Sequence, residues 1–101
     1  MECNRVALCG RISELTEMRY TPAGLPVRHF SLSHDSEQIE AGFQRKIQCK
    51  VPAMAVADAA QQMKELALGD MVRIDGFLAQ KSRMGTQLVL HVKQIQLLER
   101  G

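Results

Sequence analysis

Apolar and polar side chains alternate at a two-residue period along much of this 101-residue chain, and a few turn signals break the alternation. The clearest stretch is Leu68-Gly69-Asp70-Met71-Val72-Arg73-Ile74-Asp75-Gly76-Phe77-Leu78. Gly69-Asp70 stops whatever precedes it, and Val72, Ile74, Gly76 and Leu78 then share one face, which predicts a half-buried strand. Gly76 stands where that face should carry a side chain, so it marks a sharp bend or a close approach of backbone. An earlier strand begins near Asn4, with Val6, Leu8, Gly10 and Ile12 facing one way and Arg5, Ala7, Cys9 and Arg11 the other. Past Ile12 the apolar parity slips to Leu15, then to Met18 and Tyr20. A long strand bent by a bulge, serving two faces of a barrel, has this pattern. Thr21-Pro22-Ala23-Gly24-Leu25-Pro26 is a loop by its backbone chemistry alone.

A second strand, Val27 to His34, puts Phe30 and Leu32 in the core, with Arg28 on the same parity at the barrel mouth. The run Asp35 to Gly42 is polar, carries Asp35, Glu37 and Glu40, and reads as a mobile, solvated loop unattractive to a phosphate backbone. A third strand, Phe43 to Val51, turns Ile47, Cys49 and Val51 inward and Gln44, Lys46, Gln48 and Lys50 outward. Pro52 is expected to end the sheet there. Val56, Ala59, Ala60, Met63 and Leu66 then change period and share one face of a helix of about twelve residues that Gly69 stops. After the strand that follows Gly69, Lys81-Ser82-Arg83-Met84-Gly85 is a short basic hairpin loop. A fifth strand carries Leu88, Val89, Leu90, Val92, Ile95 and Leu97, with a parity slip near Lys93-Gln94. Five strands with one helix between the third and fourth is the layout of the OB-fold. That partly open barrel takes oligonucleotides on strands two and three and on the loops joining strands one to two and four to five. The predicted class is therefore all-β, a single OB-fold domain over residues 1–101.

Composition adds limits to this picture. With 46% apolar and 24% charged residues, the chain suits one soluble domain with a modest core. The formal charge of +2 is too small to name a partner, so any nucleic-acid function depends on where Lys and Arg sit. Cys3, Cys9 and Cys49 form no Cys-x-x-Cys spacing, which argues against a disulfide framework or a zinc site and points to the reduced cytosol. The N-terminus runs straight into a strand pattern, and no apolar run approaches the roughly 18 residues of a membrane span. A cytoplasmic protein with no membrane attachment and no cofactor is expected.

Candidate chemistry is sparse. Lys46 and Lys50 on an outward strand face read as a solvated, edge-protecting surface or as a track for phosphates. Phe43 shares the parity of Ile47, so a core position competes with a base-stacking ring, and Tyr20 is open in the same way. His29, His34 and His91 have no acidic or Cys partner at ligand spacing and read as ordinary strand residues rather than metal ligands. A phosphate-cradling Gly-rich loop, a nucleophile with its base and paired carboxylates in a concave setting are all missing from the pattern, and Asp70 and Asp75 read as turn and strand-surface groups. An enzyme is the least supported class. A single-stranded DNA-binding protein and a protein-interaction adaptor on an OB scaffold stay open.

The chain also resembles, over nearly its whole length, the primosomal replication protein N (PriB) family, diverged relatives of single-stranded DNA-binding protein used in bacterial replication restart. The likeness rests on Asn4-Arg5-Val6 with Gly10, Thr21-Pro22 with Gly24-x-Pro26, Phe30-x-Leu32, Glu40-Ala41-Gly42-Phe43-x-Arg45 and Cys49-x-x-Pro52. It continues through Gly76-Phe77 and Val89-Leu90-His91 with Gln94-Ile95. The resemblance implies a homodimer that binds single-stranded DNA without sequence preference and contacts the PriA helicase and the loader protein DnaT. An edge contact at Asn4 to Leu8 and the strand-four hairpin would suit such a dimer. Phe43 matches the family's loop-edge aromatic, and Arg19, Lys81 and Arg83 fall where its basic strand-one and loop residues lie. With Arg45, Lys46, Gln48 and Lys50 they make up the expected nucleic-acid-binding set. Departures from the family are Gln48 in place of a stacking Trp, Asp35 in place of an Arg after His34, and a shorter loop after strand four. These imply weaker DNA binding and more reliance on contacts with the helicase.

Overall fold

A computed structural model of the chain describes residues 2–101. Its elements are β1 (Val6–Leu15), β2 (Arg19–Tyr20), β3 (Pro26–Glu40), β4 (Phe43–Val56), α1 (Asp58–Gln62), β5 (Met71–Gln80) and β6 (Leu88–Glu99). The long first strand expected to reach Tyr20 is broken into β1 and the two-residue β2, so the helix between the third and fourth predicted strands lies between β4 and β5. The strands order as β1-β5-β6-β4-β3-β2, and β1 also pairs with β3, which closes a ring of five.

The parity slip after Ile12 is what permits that closure. Val6 to Arg11 pair with β5, Arg11 to Leu15 pair with β3, and the register shifts between Ile12 and Glu14. A bulge turns one strand onto two neighbours. Close backbone approach explains both glycines on that face. A Cβ at Gly10 would stand 2.7 Å from Ser33 O, and one at Gly76 only 1.8 Å from His91 O. The second predicted slip is present too: Asp75 opposes Gln94 and Gly76 opposes Val92, which leaves Lys93 as the extra residue. Asn4, short of β1, continues the ladder with its side chain, exchanging 2.9 Å hydrogen bonds with Leu78 O and N. Inward positions of five strands fill the core: Ile12, Phe30, Leu32, Ala53, Ala55, Val72, Ile74, Leu90 and Val92 are buried.

Three predicted boundaries move. Asp35 to Gly42 is not a loop: β3 runs to Glu40 and pairs with β4 without a break from Val27↔Val56 to Glu40↔Phe43. Ala41 (φ 53°) and Gly42 (φ 81°) supply the two left-handed residues of a primed hairpin turn. The acids that suggested a solvated loop meet basic or amide partners across the strand. Glu37 opposes Lys46, Gln44 donates to Glu37 Oε2 at 2.8 Å, and Arg45 pairs with Glu40. Such pairs hold a two-stranded ribbon that has no core of its own. The ribbon projects as an arm, and the molecule measures 50 × 35 × 24 Å.

Pro52 does not end the sheet either. It lies inside β4 opposite Ser31, just before Ala53 begins the parallel pairing with β6. Among the described residues that side of β4 is an edge up to this point, where a missing N–H is tolerated. The predicted twelve-residue helix is five residues of α1 followed by tight turns. Met63 N donates to Ala60 O at 3.1 Å, Lys64 N to Gln61 O at 3.2 Å and Leu66 N to Met63 O at 3.1 Å. Ala60, Met63 and Leu66 are all buried, and their spacing of three is the period of 3₁₀ turns. Arg28, predicted at the mouth, secures this cap by donating to Met63 O (2.8 Å) and Thr16 O (3.0 Å).

Asp70 is more than a turn residue. It is only 3% exposed, and its carboxylate accepts the N–H of Gly101 at 2.9 Å and of Ala67 at 3.0 Å, with Arg100 Nη1 at 3.4 Å. The Gly101 and Ala67 N–H groups, aided by the Arg100 charge, hold this carboxyl below the usual carboxylate range. Gly69 (φ 90°) makes the turn before it and donates its N–H to Ile12 O at 2.8 Å.

Candidate nucleic-acid interface

Unbroken pairing of β3 with β4 sorts the predicted binding residues by face. Across strands, directly opposed residues share a side. One side carries His29/Met54, Ser31/Pro52, Ser33/Lys50, Asp35/Gln48 and Glu37/Lys46, and the other carries the buried Phe30/Ala53 and the buried Leu32 with half-buried Val51, followed by His34/Cys49, Ser36/Ile47, Gln38/Arg45 and Glu40/Phe43. Lys46, Gln48 and Lys50 therefore form one row on the outer face. Arg19 joins that side, since it opposes Val27. Arg45 and Phe43 lie on the opposite face of the arm, so the predicted set is divided by the ribbon. Phe43 is 75% exposed at the tip and is not a core residue. Cys49 keeps the predicted inward parity but is exposed, because the barrel ends before it.

At the barrel end of the same outer face is a groove. Glu14 and Thr16 form one wall, Gln80 and Lys81 the other, and the floor is His29, Ser31, Pro52, Met54, Val89 and His91. Its walls descend from the β1–β3 connection and from the β5–β6 hairpin, the two loops that flank the ligand face of an OB barrel. Arg83 stands exposed in the hairpin loop, which Lys81 N→Gln87 O (2.9 Å) closes.

The cations along this surface are not equally available. Lys50 is ion-paired with Glu14 of β1, Lys46 faces Glu37, and Gln48 faces Asp35. Among the described residues Arg19, Lys81 and Arg83 take part in none of the ion pairs. Exposed pairs are worth little, so a phosphate can displace Glu14 or Glu37, yet the acids lower the positive potential of the row. The histidines separate by role. His34 uses both ring nitrogens, at 2.6 Å from Cys9 O and 2.8 Å from Ser36 Oγ, whereas His29 and His91 line the groove. His91 stacks on Phe77 with centroids 5.0 Å apart and planes at 12°. Alternation alone does not single out this pair, although both residues sit on the polar parity of a hairpin and oppose each other in it. No group of three or more His, Cys, Asp or Glu side chains comes together as a metal site among the described residues.

Residues 4–94 match the model of a family described as another single-strand binding protein family. The chain is also 44% identical to the replication restart protein PriB of Nitrosomonas europaea, over 94% of its own length and 88% of the relative's. The chain belongs to the PriB family. A solved PriB structure, from Ralstonia solanacearum, superposes with a TM-score of 0.85 at 30% identity, covering 96% of this chain and all (100%) of that one. The single-stranded DNA-binding protein of Thermus aquaticus gives a TM-score of 0.76 at 24% identity, over 96% of this chain and 50% of that one. At that distance the likeness shows the fold, and single-stranded DNA-binding proteins of this type are built on OB-folds. The expected PriB resemblance and the all-β OB-fold class are thus both met. The matched family is named for single-strand binding and the matched relative for replication restart. Among the described residues no helix is long and apolar enough to cross a membrane.

Proposed function

We propose that the protein binds single-stranded DNA weakly and without sequence preference across the outer face of β3 and β4, and bridges that strand to the PriA helicase and DnaT in replication restart. The observation that carries this reading is one continuous surface. The groove between Lys81 and Thr16 leads onto the row Lys50, Gln48 and Lys46, so phosphates can follow cations from the barrel to the arm. Arg19 and Arg83 flank it, and Phe43 and Arg45 join only where a strand bends around the arm tip. Weak binding is supported by the acids Glu14, Asp35 and Glu37 set among those lysines, and by an amide at Gln48 where a broad stacking surface would be expected. PriA and DnaT come from the family likeness alone, and the homodimer comes from it in the first place. The dimer is further supported by β1, which from Val6 to Gly10 has β5 on one side and, among the described residues, no strand on the other.

The same acids favour a second reading, an adaptor whose DNA contact has been lost. Fluorescence anisotropy with oligo-dT over a salt series separates the two. A DNA binder shows log affinity falling linearly with log salt. Absence of binding at low salt leaves the adaptor. Sedimentation at micromolar concentration should show twice the chain mass, and a monomer would remove the dimer from the proposal.

A further inference from the structure

Four strands of the outer face place a row of large side chains across the groove. Phe77 on β5 opposes His91 on β6, His91 registers with Met54 on β4, and Met54 opposes His29 on β3. Phe77 is not itself open to a ligand in the way His91 is. Its ring is stacked against the imidazole, and Lys93 Nζ lies over it, 6.0 Å from the centroid. His91, by contrast, lines the groove together with Pro52, Met54 and Val89. The arrangement is a flat ring braced from behind, beside apolar flooring, between two walls that carry Lys81 and Thr16.

A planar side chain already held in one orientation loses little freedom when a second ring lies against it, and histidine is among the residues on which nucleic-acid bases stack. Gln48, further along the same face, offers no such surface. We infer that His91, oriented by Phe77, is the residue on which a DNA base stacks, so that the groove is a nucleobase subsite and the lysine row is a phosphate track. Phe77 acts as a positioning residue and Lys81 meets the adjoining phosphate. This inference rests on the proposal that the protein binds single-stranded DNA, and it assigns the base-reading part of that surface to residues outside the expected binding set.

The test compares oligo-dT with an abasic deoxyribose-phosphate oligomer of the same length, at low salt and at two higher salt concentrations. His91→Ala should weaken oligo-dT binding about tenfold, the scale of one base–aromatic stack. It should leave binding of the abasic oligomer and the salt slope unchanged, and His91→Phe should restore the loss. Phe77→Leu should produce a smaller loss, again on oligo-dT alone. Where His91→Ala does not fold, His91→Gln takes its place with the same expected pattern. Unchanged oligo-dT affinity in a folded variant would overturn the assignment. Equal loss on both oligomers would also overturn it, because His91 would then be touching the backbone or holding the fold. Failure of the wild-type protein to bind oligo-dT would overturn the DNA-binding reading as well, an outcome distinct from a wild type that binds and a His91 variant that binds equally.

Discussion

The β3–β4 ribbon is two regions in one unbroken register. Within the barrel its inward side chains, Leu32 at 0% and Phe30 at 3% exposure, are sealed. Beyond the Leu32↔Val51 pair, the same parity delivers Cys49, Ile47 and Phe43 into an arm where Phe43 is 75% exposed. Pairing, twist and alternation continue, but the covering sheet does not. The contrast teaches that period two determines which side a residue takes, while burial depends on whether β5, β6 and the α1 cap lie on the other side of it. It also separates two sources of stability, apolar burial in the barrel and cross-strand polar pairs in the arm.

Substitutions at matched parity give the largest test of this contrast. Leu32→Ala should lower unfolding free energy by about 3 kcal/mol, within the range for a sealed aliphatic side chain, while Phe43→Ala should change it by less than about 0.5 kcal/mol. Urea melts of both variants measure this, and similar losses would mean that the arm is covered after all. Gly76→Ala belongs with the first group. Its methyl would stand 1.8 Å from His91 O, and the forced shift should cost on the order of 2 kcal/mol.

A second comparison sets the outer face of the arm against its inner face. Gln48→Trp places a broad ring between Lys46 and Lys50 and should tighten oligo-dT binding by about 1 to 3 kcal/mol with little change of salt slope. Unchanged affinity in a folded variant would mean that strand β4 does not meet the DNA on this side. Alanine at Lys46, Lys50, Lys81 or Arg83 should weaken binding by smaller amounts, alike for every sequence, and each should lower the salt slope by about one. Arg45→Ala, on the inner face at the bend around the arm tip, should lower the slope by less than one, and Lys64→Ala and Arg100→Ala elsewhere should leave it where it was. Equal effects from both groups would show that charge acts diffusely rather than through one face.

The smallest effect is a pH dependence confined to the acid range. Asp70 has its carboxyl lowered chiefly by the Gly101 and Ala67 N–H groups, so its folded value lies below the unfolded one. Its stabilisation is complete above the unfolded value and is lost as pH falls through the folded one, below about pH 4. Melting temperatures between pH 2 and pH 7 should fall at the acid end less steeply in Asp70→Asn than in the wild type. Parallel curves would show that the Asp70 contacts do not couple folding to protonation.

Much of the fold was legible residue by residue. The slip after Ile12 marked the bulge that lets β1 pair with both β5 and β3, the slip at Lys93-Gln94 marked a second bulge, and Gly10 and Gly76 marked backbone contacts. These are local consequences of a two-residue period and of a missing Cβ, which any reading of the chain can follow. Lys46, Gln48 and Lys50 were likewise placed on one face by parity alone. The arm was not legible, because Asp35, Glu37 and Glu40 look like a solvated loop until their partners Gln48, Lys46 and Arg45 are known to come from the neighbouring strand. Pro52 resembled a terminator because nothing in its neighbourhood says that one edge of β4 lacks a partner there. The helix was overestimated because residues three apart satisfy both α and 3₁₀ periods over one or two turns. Sequence by itself determined the strand faces, the bulges and the family. Tertiary structure alone decided where the core stops, that Phe43 lies in the open beyond it, and that Phe77, His91, Met54 and His29 form one row. Those facts depend on register between strands far apart in the chain, and register is set by packing rather than by any single segment.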